Sequence, residues 1–288
     1  MSKERKELDS SSLLGIYNKI LEIYPFLTKK ERLSFLNKSK DVLKKLDKNQ
    51  KSILVSIQKI LVILNNPHAY AYFNKKKTKK IKPYFKYKIK KRILYIKISR
   101  WSAPDRKEAL RRGEELISVC RDNMEEYDGI ILDVRGNSGG YSAGAQQLAS
   151  IFFKKSFFVK KIIKRDGNKL IMNNVKQDYN PFLYIKVPIV MLIDKKCFSS
   201  NELFIAPFKI SKRAIIIGEA TRGGSANPVM LDYKIGRNIL TVKIPTYRLF
   251  LKGESRPIEE TKIKPDIYYK KKDIIRYAEK ILQTKIRQ

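Results

Sequence analysis

Two stretches of this chain set reactive residue types beside bare backbone. The first is residues 128–145, DGIILDVRGNSGGYSAGA. A run of β-formers, Ile130, Ile131, Leu132 and Val134, ends in Arg-Gly-Asn-Ser-Gly-Gly, and a helical pattern starts near Tyr141. A buried strand that stops at Gly139 and Gly140 presents backbone N–H groups at a helix N-terminus, and such groups bind developing negative charge. An ordinary strand–turn–helix corner would use the same glycines. The second stretch is residues 187–204, VPIVMLIDKKCFSSNELF. Here a buried strand passes through a polar turn into a helix, with Ser199 and Ser200 at the joint. A serine so placed can be exposed while its successor's N–H points into the same space, which suits a nucleophile beside an oxyanion donor. From the pattern alone, capping of the helix by either serine is the simpler reading, because serine is a favoured N-cap.

The elements around these residues follow from periodicity. Residues 10–65 read as helices: Leu13, Leu14, Ile16, Tyr17 and Ile20 recur at helical spacing, Pro25 breaks the pattern, and Thr28 with Glu31 forms a capping box. A third helix runs from about Lys51 to Leu64. Residues 74–83, NKKKTKKIKP, form a junction, which places a helical subdomain at 1–80 and a second domain at 81–288. From Tyr84 the period shortens to that of a hairpin, and Pro104 opens a helix to about Arg121. The strand to Val134 and a helix from Gly140 to about Phe153 come next. A two-stranded excursion turns at Asp166-Gly167. VPIVMLI and AIIIGE (214–219) read as buried strands and 238–248 as one longer alternating strand. Asp273 caps a last helix ending near Thr284. Strands and helices alternate from residue 84 onward, so the class is α/β.

Composition narrows the function. The hydrophobic fraction, 43%, is enough for a packed core. Two cysteines, Cys120 and Cys197, argue against a disulfide framework and fit a reducing compartment. No apolar leader opens the sequence and no run of 18 apolar residues occurs, so neither a secretory signal nor a membrane span is expected, and the expected location is the cytoplasm. The net charge of +35 would attract nucleic acid, anionic membrane or acidic protein. Lysine is enriched along the whole chain, strands included, so we read the charge as a solvated basic surface and not as a nucleic-acid site. The densest runs, Lys75–Lys77 and Lys270–Lys272, flank junctions.

The string Asp133-Val134-Arg135-Gly136-Asn137-Ser138-Gly139-Gly140 resembles the signature D-[LV]-R-x-N-x-G-G of the S41 serine peptidases, the tail-specific or C-terminal processing proteases. That family includes the core of tricorn protease and the repeats of interphotoreceptor retinoid-binding protein. Cys197-Phe198-Ser199-Ser200-Asn201-Glu202 resembles the family's T-A-S-A-x-E, with Ser199 on the nucleophile, Ser200 supplying the following N–H and Glu202 on the glutamate. Cys197, Phe198 and Asn201 depart from it. The processing branch uses a lysine 25 residues after the serine; that position here is Gly224. GEATRGGSA (218–226) instead resembles G-E-x-T-x-G-G-A of the tricorn and retinoid-binding branch, which uses a histidine base. The one histidine, His68, lies in Leu64-Asn65-Asn66-Pro67-His68-Ala69, similar to the family's L-x-D-[PG]-H-T, with Asn66 and Ala69 as departures. Imidazole is suited to take the serine proton at neutral pH. A late segment, residues 256–267, resembles x-E-G-x-G-[VI]-x-P-D-[IV] and places Glu259, with Glu260 as its competitor, as the group that orients the imidazole. The family's PDZ module has no room, since only residues 69–83 separate the histidine segment from the first strand expected after it.

The resemblance implies a ClpP/crotonase-like catalytic core and a serine endopeptidase acting on a peptide or protein substrate. Ser199, His68 and Glu259 would be catalytic, and Gly139 or Gly140 together with Ser200 would form the oxyanion hole. It implies no cofactor and no metal, and the oligomeric state is left open. Two rivals stand beside it: an inactive ligand- or peptide-binding protein of the same fold, and a basic nucleic-acid-binding protein.

Overall fold

The computed structural model describes residues 6–7, 10–24, 26–27, 29–44, 50–73, 83–166, 169–224 and 227–288. The break at Pro25, the capping role of Thr28, the turn at Gly167 and nearly all of the 74–83 junction lie outside these residues. Along the chain the strands are β1 (Lys6–Glu7), β2 (Tyr70–Phe73), β3 (Phe85–Lys90), β4 (Ile93–Ile98), β5 (Gly129–Asp133), β6 (Phe157–Asp166), β7 (Lys169–Gln177), β8 (Ile189–Ile193), β9 (Ile215–Gly218), β10 (Val229–Ile235), β11 (Asn238–Ile244), β12 (Tyr247–Leu251) and β13 (Ile267–Tyr268). The helices are α1 (Ser10–Ile23), α2 (Lys29–Lys44), α3 (Gln50–Leu61), α4 (Arg106–Asp122), α5 (Ser142–Ser150), α6 (Ser200–Ser211), α7 (Ile258–Thr261) and α8 (Ile274–Ile286). The chain forms two compact units: residues 1–80, 162–173 and 226–248, and residues 81–161, 174–225 and 249–288.

In the first unit the apolar stripes of α1 and α3, with Phe35 of α2, close on a sheet of order β1-β10-β11-β2. Strand β2 was not foreseen, because YAYF is too short to read without its partner. That partner, β11, arrives late in the sequence and pairs Ala71 with Val242 and Phe73 with Leu240. The strand read over 238–248 divides into β11 and β12. Pro245 lies at the break, where it has no N–H to give the ladder.

The second unit is built on a six-stranded sheet of order β13-β9-β8-β5-β4-β3. Strands β4, β5, β8 and β9 are mutually parallel in that order, and β3 is antiparallel to β4 at the edge. All five residues of β5 and of β8 are buried, which explains the apolar runs Ile130–Leu132 and Ile189–Ile193. Ile131, Val190, Leu192 and Ile217 meet Ile274, Ala278 and Leu282 of α8. Helix α6 is buried from Ser200 through Phe208, and its Phe204 and Phe208 join an aromatic cluster with Trp101, Phe152 and Phe153. Helix α4 is capped by Asp105, whose side chain accepts from Glu108 N–H at 2.8 Å. Asp273 precedes α8, but its carboxylate accepts from Tyr269 Oη at 2.7 Å and makes no cap bond. The carboxyl ends of β5 and β8 carry the two informative stretches to one end of the sheet, where open α/β folds bind ligands. No helix among the described residues is long and apolar enough to cross a membrane.

Candidate active site

The turn after β5 is held by a buried carboxylate. Asp133 accepts from Tyr95 Oη at 2.7 Å, Lys97 Nζ at 2.9 Å, and Arg135 through Nε at 2.9 Å and Nη2 at 2.6 Å. Burial pulls this carboxyl upward, but the Arg135 hydrogen bonds and the Lys97 and Arg135 charges outweigh it and hold the group below the usual carboxylate range. Asn137, wholly buried, then folds the glycines back: its Oδ1 accepts from Gly139 N–H at 2.9 Å and its Nδ2 donates to Ile98 O at 3.3 Å.

The turn after β8 ends at Ser199, whose φ of 58° and ψ of −126° put a non-glycine residue in the left-handed half of backbone space. Such a conformation costs about 1–3 kcal/mol and persists only where surrounding bonds impose it. Those bonds are present. Phe198 N–H donates to Asn137 O at 3.2 Å, and Ser199 N–H is shared between Gly224 O at 3.0 Å and Glu202 Oε2 at 3.1 Å. The two serines differ sharply. Ser200 is buried and its hydroxyl donates to Gly140 O, whereas Ser199 is half-exposed.

The glycines differ as well. A Cβ on Gly139, at φ +91°, would lie 2.7 Å from Phe198 O, 2.8 Å from Ser199 Cβ and 2.9 Å from Ser200 N. A Cβ on Gly140, at φ +142°, would strike Trp101 C and Ser102 N at 2.4 Å. Gly139 is thus the bare surface against the serine, but its N–H is engaged by Asn137. Among the described residues no acceptor meets the N–H of Gly140 or of Ser200. Gly139→Ala is expected to lower kcat by roughly 100-fold or more, since the methyl group displaces the Ser199–Ser200 backbone. It should also lower the unfolding midpoint, and kcat must therefore be taken on the folded fraction. Full activity on a folded variant would make this turn a structural feature only.

Glu202, wholly buried, joins three segments. Its Oε1 accepts from Thr221 Oγ1 at 2.5 Å and Gly223 N–H at 3.0 Å, its Oε2 accepts from Ser199 N–H, and Thr221 Oγ1 accepts from Ile263 N–H at 3.0 Å. Burial pushes the carboxyl up to about 8, a shift that the Glu259 charge increases and the three donors reduce. The folded protein therefore keeps a proton that the unfolded chain releases above an ordinary carboxylate pKa of about 4.3. This contribution to stability is complete below that value and is lost as pH rises through about 8. The urea midpoint should fall between pH 5 and 8, and Glu202→Gln should flatten that fall. An unchanged slope in the variant would mean that Glu202 is ionised throughout.

Two of the departures from the family pattern in this segment acquire reasons. Asn201 spans two partners that a small residue could not reach, accepting from Trp101 Nε1 at 3.1 Å and donating to Val134 O at 3.1 Å. The Cys197 thiol lies 3.2 Å from Val134 O and accepts from Asp194 N–H at 3.3 Å, bonds a threonine hydroxyl would also make; burial pushes the thiol up, away from the reactive thiolate. Glu259 lies in the short helix α7. It is half-buried and close enough to raise Glu202, while Glu260 is exposed. A Cβ on Gly223 would meet Ile258 O at 2.7 Å and Glu259 O at 3.1 Å, so the 221–224 segment runs against α7.

His68 belongs to the first unit, in a turn between a 3-10 turn (Val62–Leu64) and β2. It is buried, and its backbone N–H donates to Asn66 Oδ1 at 2.9 Å. That bond needs only a side-chain oxygen two residues back, which asparagine supplies as aspartate would. Asn65, left-handed at φ 44°, and the Tyr24 hydroxyl on Leu64 O at 2.6 Å fix the approach. Sequence reading passed over Asn137 and Thr221 as positioning groups, although both stand inside the motif strings.

Residues 92–269 match the profile of peptidase family S41. The chain belongs to that family. The match covers Gly139, Gly140, Ser199, Ser200 and Glu259, and His68 precedes it. The chain is similar to the carboxy-terminal processing proteases CtpA and CtpB of Bacillus subtilis. It is 28% identical to the first over 139 residues, 48% of this chain, and 27% identical to the second over 183 residues, 62% of this chain. It spans 28% and 34% of their lengths. Among solved structures, the photosystem II D1 C-terminal processing protease shares the S41 fold with a TM-score of 0.62 at 13% identity, covering 91% of this chain and 93% of that one.

Proposed function

We propose that this S41 chain is a serine endopeptidase acting on a peptide or protein substrate. Ser199 Oγ attacks the carbonyl carbon, and His68 takes the hydroxyl proton. As the C–N bond breaks, the imidazolium returns that proton to the leaving amine. Water, deprotonated by the same imidazole, then releases the acyl group and restores Ser199. Glu259 holds the imidazole in its working tautomer, and the N–H groups of Gly140 and Ser200 take the oxyanion.

The observation that carries this reading is the conformation of Ser199. A serine held at φ 58° on a strand-to-helix turn, with Gly139 bare against it, has the form of a nucleophile elbow. The choice of base is supported by Gly224, which stands where the processing branch has its lysine and offers Ser199 only a backbone carbonyl. Half-burial favours Glu259 over the exposed Glu260. The amide of Gly140 is preferred to that of Gly139, which Asn137 occupies.

A fluorophosphonate probe tests the proposal directly. Peptide mapping should find the adduct on Ser199 in the wild-type chain and in Ser200→Ala, and none in Ser199→Ala. A folded wild-type chain that stays unlabelled would be a binding protein on a peptidase fold.

A further inference from the structure

Phe182 leaves 96% of its surface exposed, the highest value of any large apolar residue among those described. It sits at the tip of a well-anchored turn. Asn180 N–H donates to Ser150 O at 3.0 Å and Ile185 N–H to Ile151 O at 2.8 Å, tying both ends of the turn to the end of α5. Asn180 Oδ1 accepts from Phe182 N–H at 2.8 Å and Leu183 N–H at 3.1 Å, which with Pro181 sets the turn's shape. Arg213 braces the exit through Ile185 O at 2.5 Å and Val187 O at 3.0 Å. A large apolar side chain presented on such a base is one whose exposure the fold maintains.

The surroundings of the turn are basic. Lys154, Lys155 and Lys186 are exposed, and Lys154 Nζ stands 5.3 Å from the Tyr184 ring, which places the 154–155 pair beside the turn. Tyr179, 43% exposed, adds a second aromatic. Asp178 is the acidic residue of the segment, 3.5 Å from Ser156 Oγ.

We propose that this turn is a peripheral membrane contact: Phe182 and Tyr179 enter the interface of an anionic lipid surface while Lys154, Lys155 and Lys186 face its headgroups. Two arguments select lipid over a protein partner. One fully exposed phenylalanine and one half-exposed tyrosine fall far short of the roughly 800 Å² per partner that a stable protein interface buries. A lipid interface needs no such area, because a few aromatic groups and basic residues act together there.

The full chain should sediment with vesicles of phosphatidylglycerol and phosphatidylcholine, not with phosphatidylcholine alone, and salt should weaken the binding. Phe182→Ser should lower the partition coefficient about tenfold or more. Lys154→Glu, Lys155→Glu and Lys186→Glu together should lower it by roughly 100-fold or more. The same reversal at Lys270, Lys271 and Lys272 changes net charge equally and should cost far less. Phe182 is too exposed to support the core, so its variant keeps the wild-type unfolding midpoint. Absence of binding to the anionic vesicles overturns the proposal. So does Phe182→Ser binding like wild type, or equal losses from the two lysine triplets, either of which assigns the attraction to diffuse charge. A concentration-dependent dimer that Phe182→Ser dissolves would overturn it in favour of a protein interface. The readout is binding, so the outcome is independent of whether the chain hydrolyses peptides.

Discussion

Ser199→Ala is expected to abolish peptide hydrolysis, lowering kcat by on the order of 10⁴–10⁶-fold. In the proposed mechanism that hydroxyl bonds to the substrate carbon, and the neighbouring Ser200 is not placed to do so. Its hydroxyl is buried and committed to Gly140 O, and it follows the strained residue instead of occupying it. Ser200→Ala should keep most of the activity, because the proposed role of that residue belongs to its backbone N–H. The loss of its hydrogen bond should cost about 0.5–1.5 kcal/mol of stability and loosen the Gly140 peptide. Single-turnover hydrolysis of a fluorogenic peptide by the two folded variants separates these roles. Reversed phenotypes would move the nucleophile one residue along the chain.

His68→Gln is the second large effect, a loss of roughly 10⁴-fold in kcat with a much smaller change in KM. Glutamine retains polarity and approximate size but cannot accept a proton and return it. Position 224 offers no lysine, and His68 is the only imidazole in the chain. Because His68 is buried in the first unit, the variant's unfolding midpoint must be measured alongside its rate. Near-wild-type hydrolysis by a folded variant removes histidine from the mechanism. Attention would then turn to lysines on the β8–α6 turn, Lys195 and Lys196, both exposed.

Much of this was legible in the residues themselves. The α/β class followed from the apolar runs at 130–132 and 189–193 and from the helical periods between them, because burial on both faces of a parallel strand leaves few polar positions. Gly139 and Gly140 were legible as a place of close backbone approach, and the serine pair as a strand–helix joint. The S41 family could be identified from motif strings in order. These are properties of short segments, whose geometry is set by neighbours in the chain.

Tertiary structure decided what depended on distant partners. Strand β2 exists because β11 pairs with it, and no periodicity in YAYF could announce that. Ser199 and Ser200 look alike in sequence. They diverge because Gly140 O lies within reach of one hydroxyl, while Gly224 and Glu202 hold the backbone of the other in a conformation serine does not choose for itself. Glu259 and Glu260 are adjacent and identical, and only their burial separates them. Asn201 reads as a lapse from a small-residue pattern until Trp101 and Val134 appear on either side of its amide. Sequence settles which residue types are available; the long-range contacts settle which of two neighbouring residues is exposed or strained, because exposure and strain are properties of the packed chain.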